Sequence, residues 1–222
     1  MARELEALPL FPLHTVLFPY ATIQLHVFEE RYRAMVQHCL DYDAPFGVVL
    51  IRNGPEVGGI ADPYMVGTAV RIVHVYNYDD GKMDIQIYGE RRFRIRKIDE
   101  SKEYLVGHVE PVIELEAEEG PMVDELVDHA RTSFKTLIEG MLARPDFNIQ
   151  VIFPPDATAL SFVIANYLHL ENLEKQHLLE TTDTVERLQE LVPLIERQIV
   201  RAKKTQTFRL SRELLSDWIH PN

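Results

Sequence analysis

Prolines at positions 9, 12 and 19 decide what the first twenty residues can become. Proline has no amide donor and its ring clashes with the preceding turn, so a regular helix is excluded. The residues around them, Leu8, Leu10, Phe11, Leu13, Val16, Leu17 and Phe18, are apolar. The segment is therefore expected to run extended and to bury itself. Ile23, Leu25 and Val27 then alternate with Gln24 and His26, the period of a strand with one buried face. At Phe28 the period changes. Phe28, Tyr32, Met35 and Val36 fall at helical spacing, with Glu29, Glu30, Arg31 and Arg33 between them. The expectation is extended chain, strand and amphipathic helix in succession, with no loop between strand and helix.

Beyond this helix the pattern is that of short strands. Residues 46–51 form a continuous apolar run bounded by Pro45 and by Asn53-Gly54-Pro55, and residues 56–63 read as a loop. Residues 64–78 are rich in β-branched side chains. Asp79-Asp80-Gly81-Lys82 supplies a turn, and Met83, Ile85 and Ile87 alternate in the return strand of a hairpin. Gly89-Glu90 reads as a break. Residues 92–98 alternate bases with apolar side chains, and residues 104–113 form a further strand. Hairpins at this density imply a barrel-like sheet.

The composition shifts at the acidic stretch 114–119. Gly120-Pro121 can open a helix, and Val123 to Leu142 keep helical spacing. Residues 143–155 interrupt it. Asp156 is placed to cap a helix carrying Leu160 to Leu168, a short helix follows near 173–179, and Asp183 is placed to cap a long one. Pro193 lies inside that last helix, where proline costs about 3 kcal/mol, so a kink is expected. The fold class is α+β: a β-rich, barrel-like N-terminal subdomain with one helix (residues 1–117), an α-helical bundle (118–204) and a C-terminal tail (205–222), with Trp218 and Ile219 placed to dock on the bundle.

Composition narrows the function. Hydrophobic residues make up 46% of the chain, enough for a core, and no apolar run approaches the roughly 20 residues that span a bilayer. The acidic start points to a cytoplasmic protein. Net charge is −12, which disfavours nucleic acid, whose binding draws on a basic face. The single cysteine, Cys39, permits no intrachain disulfide and reads as a core residue on the first helix.

At the opening residues a family is recognisable. The string LPLFPLHTVLFP followed by LHVFEERYRAMV resembles the start of the Lon N-terminal domain, the substrate-binding part of the ATP-dependent protease Lon, and most of all its short, free-standing version. The blocks PFGVVLI, VGTAVRI and GERRFRI, and the helical stretch from Leu168 to Leu188, are similar to the family in order and spacing. Arg31, Tyr32, Gly67, Gly89 and Arg92 fall on these blocks as structural positions. Tyr20 departs from the pattern, because related sequences carry glycine after Phe-Pro. Full Lon proteases add an ATPase and a peptidase. This chain holds no Gly-x-x-x-x-Gly-Lys-Ser/Thr loop to cradle nucleotide phosphates, and has no room for the peptidase. The resemblance implies a non-catalytic, ATP-independent module that binds unfolded or exposed-hydrophobic polypeptide, or a protein partner, without cofactor.

The chemistry-bearing residues also admit ordinary roles. His26 with Glu29 and Glu30 could form a metal trio only at a closed corner. His14 and His38 lie on other elements, and His169 and His177 read as solvated or capping. Ser101, Ser133 and Ser161 sit in no nucleophile elbow. Arg31 is expected to pair with a carboxylate of the β-rich half. Arg92, Arg94 and Arg96 read as the wet side of a strand. Phe18, Tyr20, Tyr76 and Tyr78 are nominated for exposed contact with a bound polypeptide. The rivals are a small hydrolase with an unassembled site and a nucleic-acid-binding barrel using the three arginines.

Overall fold

The opening segment folds as its prolines require. In a computed structural model, which describes residues 5–59, 61–115, 120–142, 149–205 and 219–221, strand β1 (Glu6–Leu13) is followed by β2 (Thr22–Val27) and helix α1 (Glu30–Tyr42). Tyr32, Met35, Val36 and Cys39 form the buried face of α1. Phe28 does not join them. It lies ahead of the helix and is exposed, because the chain needs Phe28 and Glu29 to turn from strand to helix.

Between β1 and β2 the chain makes one sharp turn. The amide of Ala21 donates to Phe18 O (3.3 Å), and Tyr20 has φ 68°. A turn with Pro19 second and a positive-φ residue third is the type II arrangement, which favours glycine at that third position. Tyr20 thus occupies a backbone conformation that favours glycine.

The remaining strands are β3 (Phe46–Asn53), β4 (Asp62–Pro63), β5 (Val66–Asn77), β6 (Met83–Asp99) and β7 (Val106–Pro111). They form a mostly antiparallel sheet in the order β1-β7-β6-β5-β3-β4, with β2 also on β6 and β1 parallel to β3. The break expected at Gly89-Glu90 is absent. β6 runs unbroken through it, and the irregularity survives only as a register shift against β5 at Ala69/Val70. Gly89 is there for close approach: its amide donates to Ala21 O (2.9 Å) and its carbonyl accepts from Tyr20 N (2.8 Å), so a Cβ would overlap Phe18 O. Gly67 is crowded likewise by Val48 O.

Four further helices follow: α2 (Pro121–Leu142), α3 (Ala157–Tyr167), α4 (Asn172–Glu180) and α5 (Thr184–Thr205). The chain divides into two compact units. The first comprises residues up to 113 together with 170–180, so α4, grouped from the sequence with the helical residues 118–204, belongs with the sheet. The reason is specific hydrogen bonding. Gln176 Nε2 donates to Val66 O (3.0 Å), Asn172 Nδ2 to His14 O (2.7 Å) and Arg92 to Leu179 O (2.5 Å). Two apolar clusters fill this unit. One lies under α1, with Phe11, Leu17, Tyr32, Met35, Phe46 and Ile87. The other joins Leu8, Leu10, Val49, Phe93, Ile95 and Val109.

In the second unit α2 buries Ala130, Phe134, Leu137 and Ile138. The Asp156 carboxylate caps α3 by accepting from Ala159 N (2.7 Å), and Asp183 caps α5 by accepting from Val185 N (2.8 Å). α5 continues through Pro193. Arg187 is fully buried, donating to Ser161 Oγ (2.8 Å), Thr181 O (2.5 Å) and Glu114 (3.1 Å), with its guanidinium 4.0 Å from the Phe162 ring centre. Two short strands, β8 (Ile149–Val151) and β9 (Ile219–Pro221), pair antiparallel. Trp218 lies outside the described residues.

Candidate functional site

The turn at residues 78–82 sets the register of the β5–β6 hairpin. Tyr78 N donates to Lys82 O (2.9 Å), Gly81 N to Tyr78 O (3.0 Å) and Lys82 N to the Asp80 carboxylate (3.1 Å). Tyr76 is thereby set opposite Asp84. On the other side of β6, β2 sets His26 opposite the same Asp84. Directly opposed residues share a face, so one carboxylate is flanked by two rings. The reverse face of these three strands carries Leu25, Ile85 and Val27 toward the cluster under α1.

Asp84 ties the rings down. It accepts from Tyr78 OH (2.6 Å), and its other oxygen is 2.6 Å from His26 Nδ1. The bond from Tyr78, then that from His26, holds its carboxyl below the ordinary carboxylate range. The same bond raises the Tyr78 phenol. The Tyr76 and Tyr78 rings meet edge to face at 4.9 Å, Tyr78 and His26 at 6.0 Å, and His26 stacks on Phe28 at 5.9 Å. These are preferred aromatic geometries. The result is a ledge of four rings, with Tyr76 64% exposed, Phe28 44% and Tyr78 40%. Exposed aromatics held in one arrangement lose little entropy on gripping an apolar ligand.

The nominated residues separate on this geometry. Tyr76 and Tyr78 meet at the ledge. Tyr20 is exposed at the turn after β1. Phe18 is wholly buried, a correction to its nomination: it precedes Pro19 in a turn closed against Gly89, which sends its ring inward. His26, Phe28 and Asp84 were missed as site residues. Alternation along β2 puts His26 on the polar face, but the register that sets it opposite Asp84 comes from the pairing of β2 with β6.

Arg31 and Tyr32 meet at the start of α1. Tyr32 stacks on Phe11 with ring centres 4.2 Å apart. Arg31 lies over Tyr32, donates to Glu29 (3.2 Å) and to Gly59 O (2.7 Å), and Glu29 accepts from Gly58 N (3.1 Å). Its carboxylate partner is thus the residue two before it, not one from the strands, and together they hold the 58–59 loop. Arg92 is not on a wet face. It is 3% exposed beneath the last turn of α4, where a cation also meets the negative end of the helix dipole. Arg96 pairs with Glu110, so the three arginines present no continuous basic strip.

For catalysis the described residues offer little. Ser161 is buried and donates to Thr158 O (2.6 Å). Cys39 is buried, and burial pushes its thiol up to about 11. Among the described residues no group of three or more His, Cys, Asp or Glu is placed to hold a metal ion, and no helix is long and apolar enough to cross a membrane.

The feature that stands out among the described residues is an aromatic ledge on a mostly antiparallel sheet. The chain belongs to the family of the ATP-dependent protease La (LON) substrate-binding domain, whose model matches residues 7–197. It is 25% identical to the Lon protease of Desulforamulus reducens over 96% of this chain and 27% of that protein. With the Lon protease of Escherichia coli it shares 26% identity over 86% of this chain and 25% of that one. The chain thus spans about a quarter of the length of these relatives. Among solved structures it is similar to a Lon N-terminal domain protein from Xanthomonas campestris, with TM-score 0.63 and 31% identity over 85% of this chain and 98% of that one. The N-terminal domain of Lon protease from Mycobacterium avium complex shares the fold, with TM-score 0.65 at 19% identity over 86% of this chain and 98% of that one.

Proposed function

We propose that this protein binds unfolded or apolar polypeptide at the ledge of Phe28, His26, Tyr76 and Tyr78, without catalysis and without ATP. The observation that carries the reading is the ledge itself: four rings at mutual contact distances, fixed by Asp84 and open to solvent. The family is described as substrate-binding, which supports a polypeptide as the ligand. A cytoplasmic setting fits the single, buried Cys39. We read the pairing of β1 with both β7 and β3 as the seam of a barrel-like sheet that keeps the ledge in place.

The test is fluorescence anisotropy of fluorescein-labelled β-casein, a probe with little fixed structure, titrated with the purified protein in the presence and absence of ATP. Equal binding in both conditions is expected. The double variant Tyr76→Ser, Tyr78→Ser should weaken it at least tenfold, the scale set by truncating interface aromatics. A control, Tyr42→Ser, removes an exposed tyrosine from the end of α1 and should leave affinity unchanged. Undiminished binding by the double variant, or binding that requires ATP, would overturn the proposal.

A further inference from the structure

The ledge borders a feature of a different kind. From Thr68 to Val70, β5 is enclosed by β6 on one side and β3 on the other. From Arg71 to Asn77 it pairs with β6 alone, and no strand among the described residues pairs with its outer edge. Six of these seven residues are exposed, Ile72 being the exception. The edge is about 23 Å long at strand spacing, and in an antiparallel pair about half of its amide and carbonyl groups point away from the partner. Such a row is a template for another strand, and proteins that avoid this guard the edge with lysine, proline, inward charge or a bulge. Here the guards are slight. The segment holds one formal charge, Arg71, which is paired with Glu90 (3.2 Å), and one irregularity between Ile72 and His74. Beyond that irregularity Val75, Tyr76 and Asn77 remain open. β2, the other edge of this three-stranded region, is less exposed, with Thr22, Ile23 and Leu25 half-buried.

The geometry points to strand addition: an extended polypeptide segment pairs with the outer edge of Arg71–Asn77, and its side chains lie along Val75 and the Tyr76 ring. The inference rests on the polypeptide-binding reading above and specifies how the ligand is held. The occupant is a stretch of about seven residues without proline, with every second side chain apolar. Basic residues between them suit a protein of net charge −12. Backbone pairing gives affinity without reading sequence, and alternate side chains add a preference. Tyr76 belongs to both features, being on β5 and on the ledge, so a strand laid on this edge meets the ring ledge at one end.

The experiment uses an acetylated octapeptide of alternating valine and lysine, and the same peptide with esters replacing its four central amides. The ester keeps the side chains and extended geometry but removes the donors. Binding is followed by anisotropy, and amide hydrogen exchange of the whole protein is measured with and without peptide. The inference expects at least tenfold weaker binding of the ester peptide and new protection within residues 71–77. Equal binding of both peptides, or protection elsewhere, overturns strand addition while casein binding at the ledge stands. If neither casein nor the octapeptide binds, the polypeptide-binding reading itself fails. Protection of 71–77 that rises with protein concentration in the absence of peptide assigns the edge to a second copy of the chain and overturns the inference.

Discussion

β5 and β6 lie side by side along their shared length, yet their two halves live in different surroundings. In one half, Val66–Val70 opposite residues 89–94, both faces are covered: Ala69 and Phe93 go into one apolar cluster, and α4 lies on the other side through Gln176 and Arg92. In the other half, Arg71–Asn77 opposite residues 83–88, one face meets the cluster under α1 and the other faces water. The sequence changes to match. Small and apolar residues, VGTAV, give way to RIVHVYN. The covered half holds Thr68 fully buried with its hydroxyl on Leu17 O (2.5 Å). The bare half spends its apolar residues on the surface. Exposed large apolar groups gathered in one place mark interaction sites more often than they mark packing.

The sharpest way to break this comparison is to remove one arginine from each half. Arg92→Ala takes away a buried cation whose donor satisfies Leu179 O. A hydrogen bond to a charged group is worth about 1.5–3 kcal/mol, and the carbonyl left behind adds its own cost. The expected loss is about 3 kcal/mol in urea-induced unfolding. Arg71→Ala removes an exposed ion pair with Glu90, and exposed pairs contribute roughly 0–1 kcal/mol. Equal losses would mean that α4 does not cover the sheet as described.

A smaller effect is expected at the junction of the halves. The turn at Phe18–Ala21 is bonded to Gly89, where the register of β5 against β6 shifts. Tyr20 holds positive φ there, which costs a non-glycine residue about 1–2 kcal/mol. Glycine would relieve that strain but would lose more entropy on folding. Tyr20→Gly is expected to raise stability by about 1 kcal/mol in the same unfolding assay. A loss of stability would show that the Tyr20 ring contributes more than its backbone costs.

How much of this was legible in the sequence follows from how local each cause is. The succession β1, β2, α1 was legible, because proline exclusion and a change of period are local signals. So were the caps at Asp156 and Asp183 and the burial of Cys39. The continuity of β6 was not. Gly89 looked like a chain break, but its missing Cβ serves an approach to Phe18 from 71 residues away. Arg92 looked wet because alternation assumes an uncovered face, and its cover, α4, arrives about 85 residues later in the chain. For the ledge, Tyr76 and Tyr78 were nominated as aromatics in a β-rich stretch. His26, Phe28 and Asp84 needed the pairing of β2 with β6, a register that strand pattern alone does not supply.

The smallest expected effect separates the halves by pH. Asp84 organises the bare half, and its carboxyl is held low first by Tyr78 and then by His26. A group whose pKa is depressed in the folded state contributes its stabilisation above its unfolded pKa and loses it as pH falls through the folded one. Above about pH 4, the ordinary carboxylate range, the ledge should stay pinned. Below it, protonation of Asp84 weakens the bonds to both rings and frees them. Nuclear magnetic resonance of the Tyr78 and His26 ring signals should therefore show a shared transition in acid, at a pH below that of a free aspartate. In Asp84→Asn, which keeps the shape and removes the charge, that transition should vanish. Residues 66–70 of the covered half carry no carboxylate. Amide signals of residues 66–70 should stay fixed through the same transition, and their moving with the rings would show that the two halves respond to acid as one.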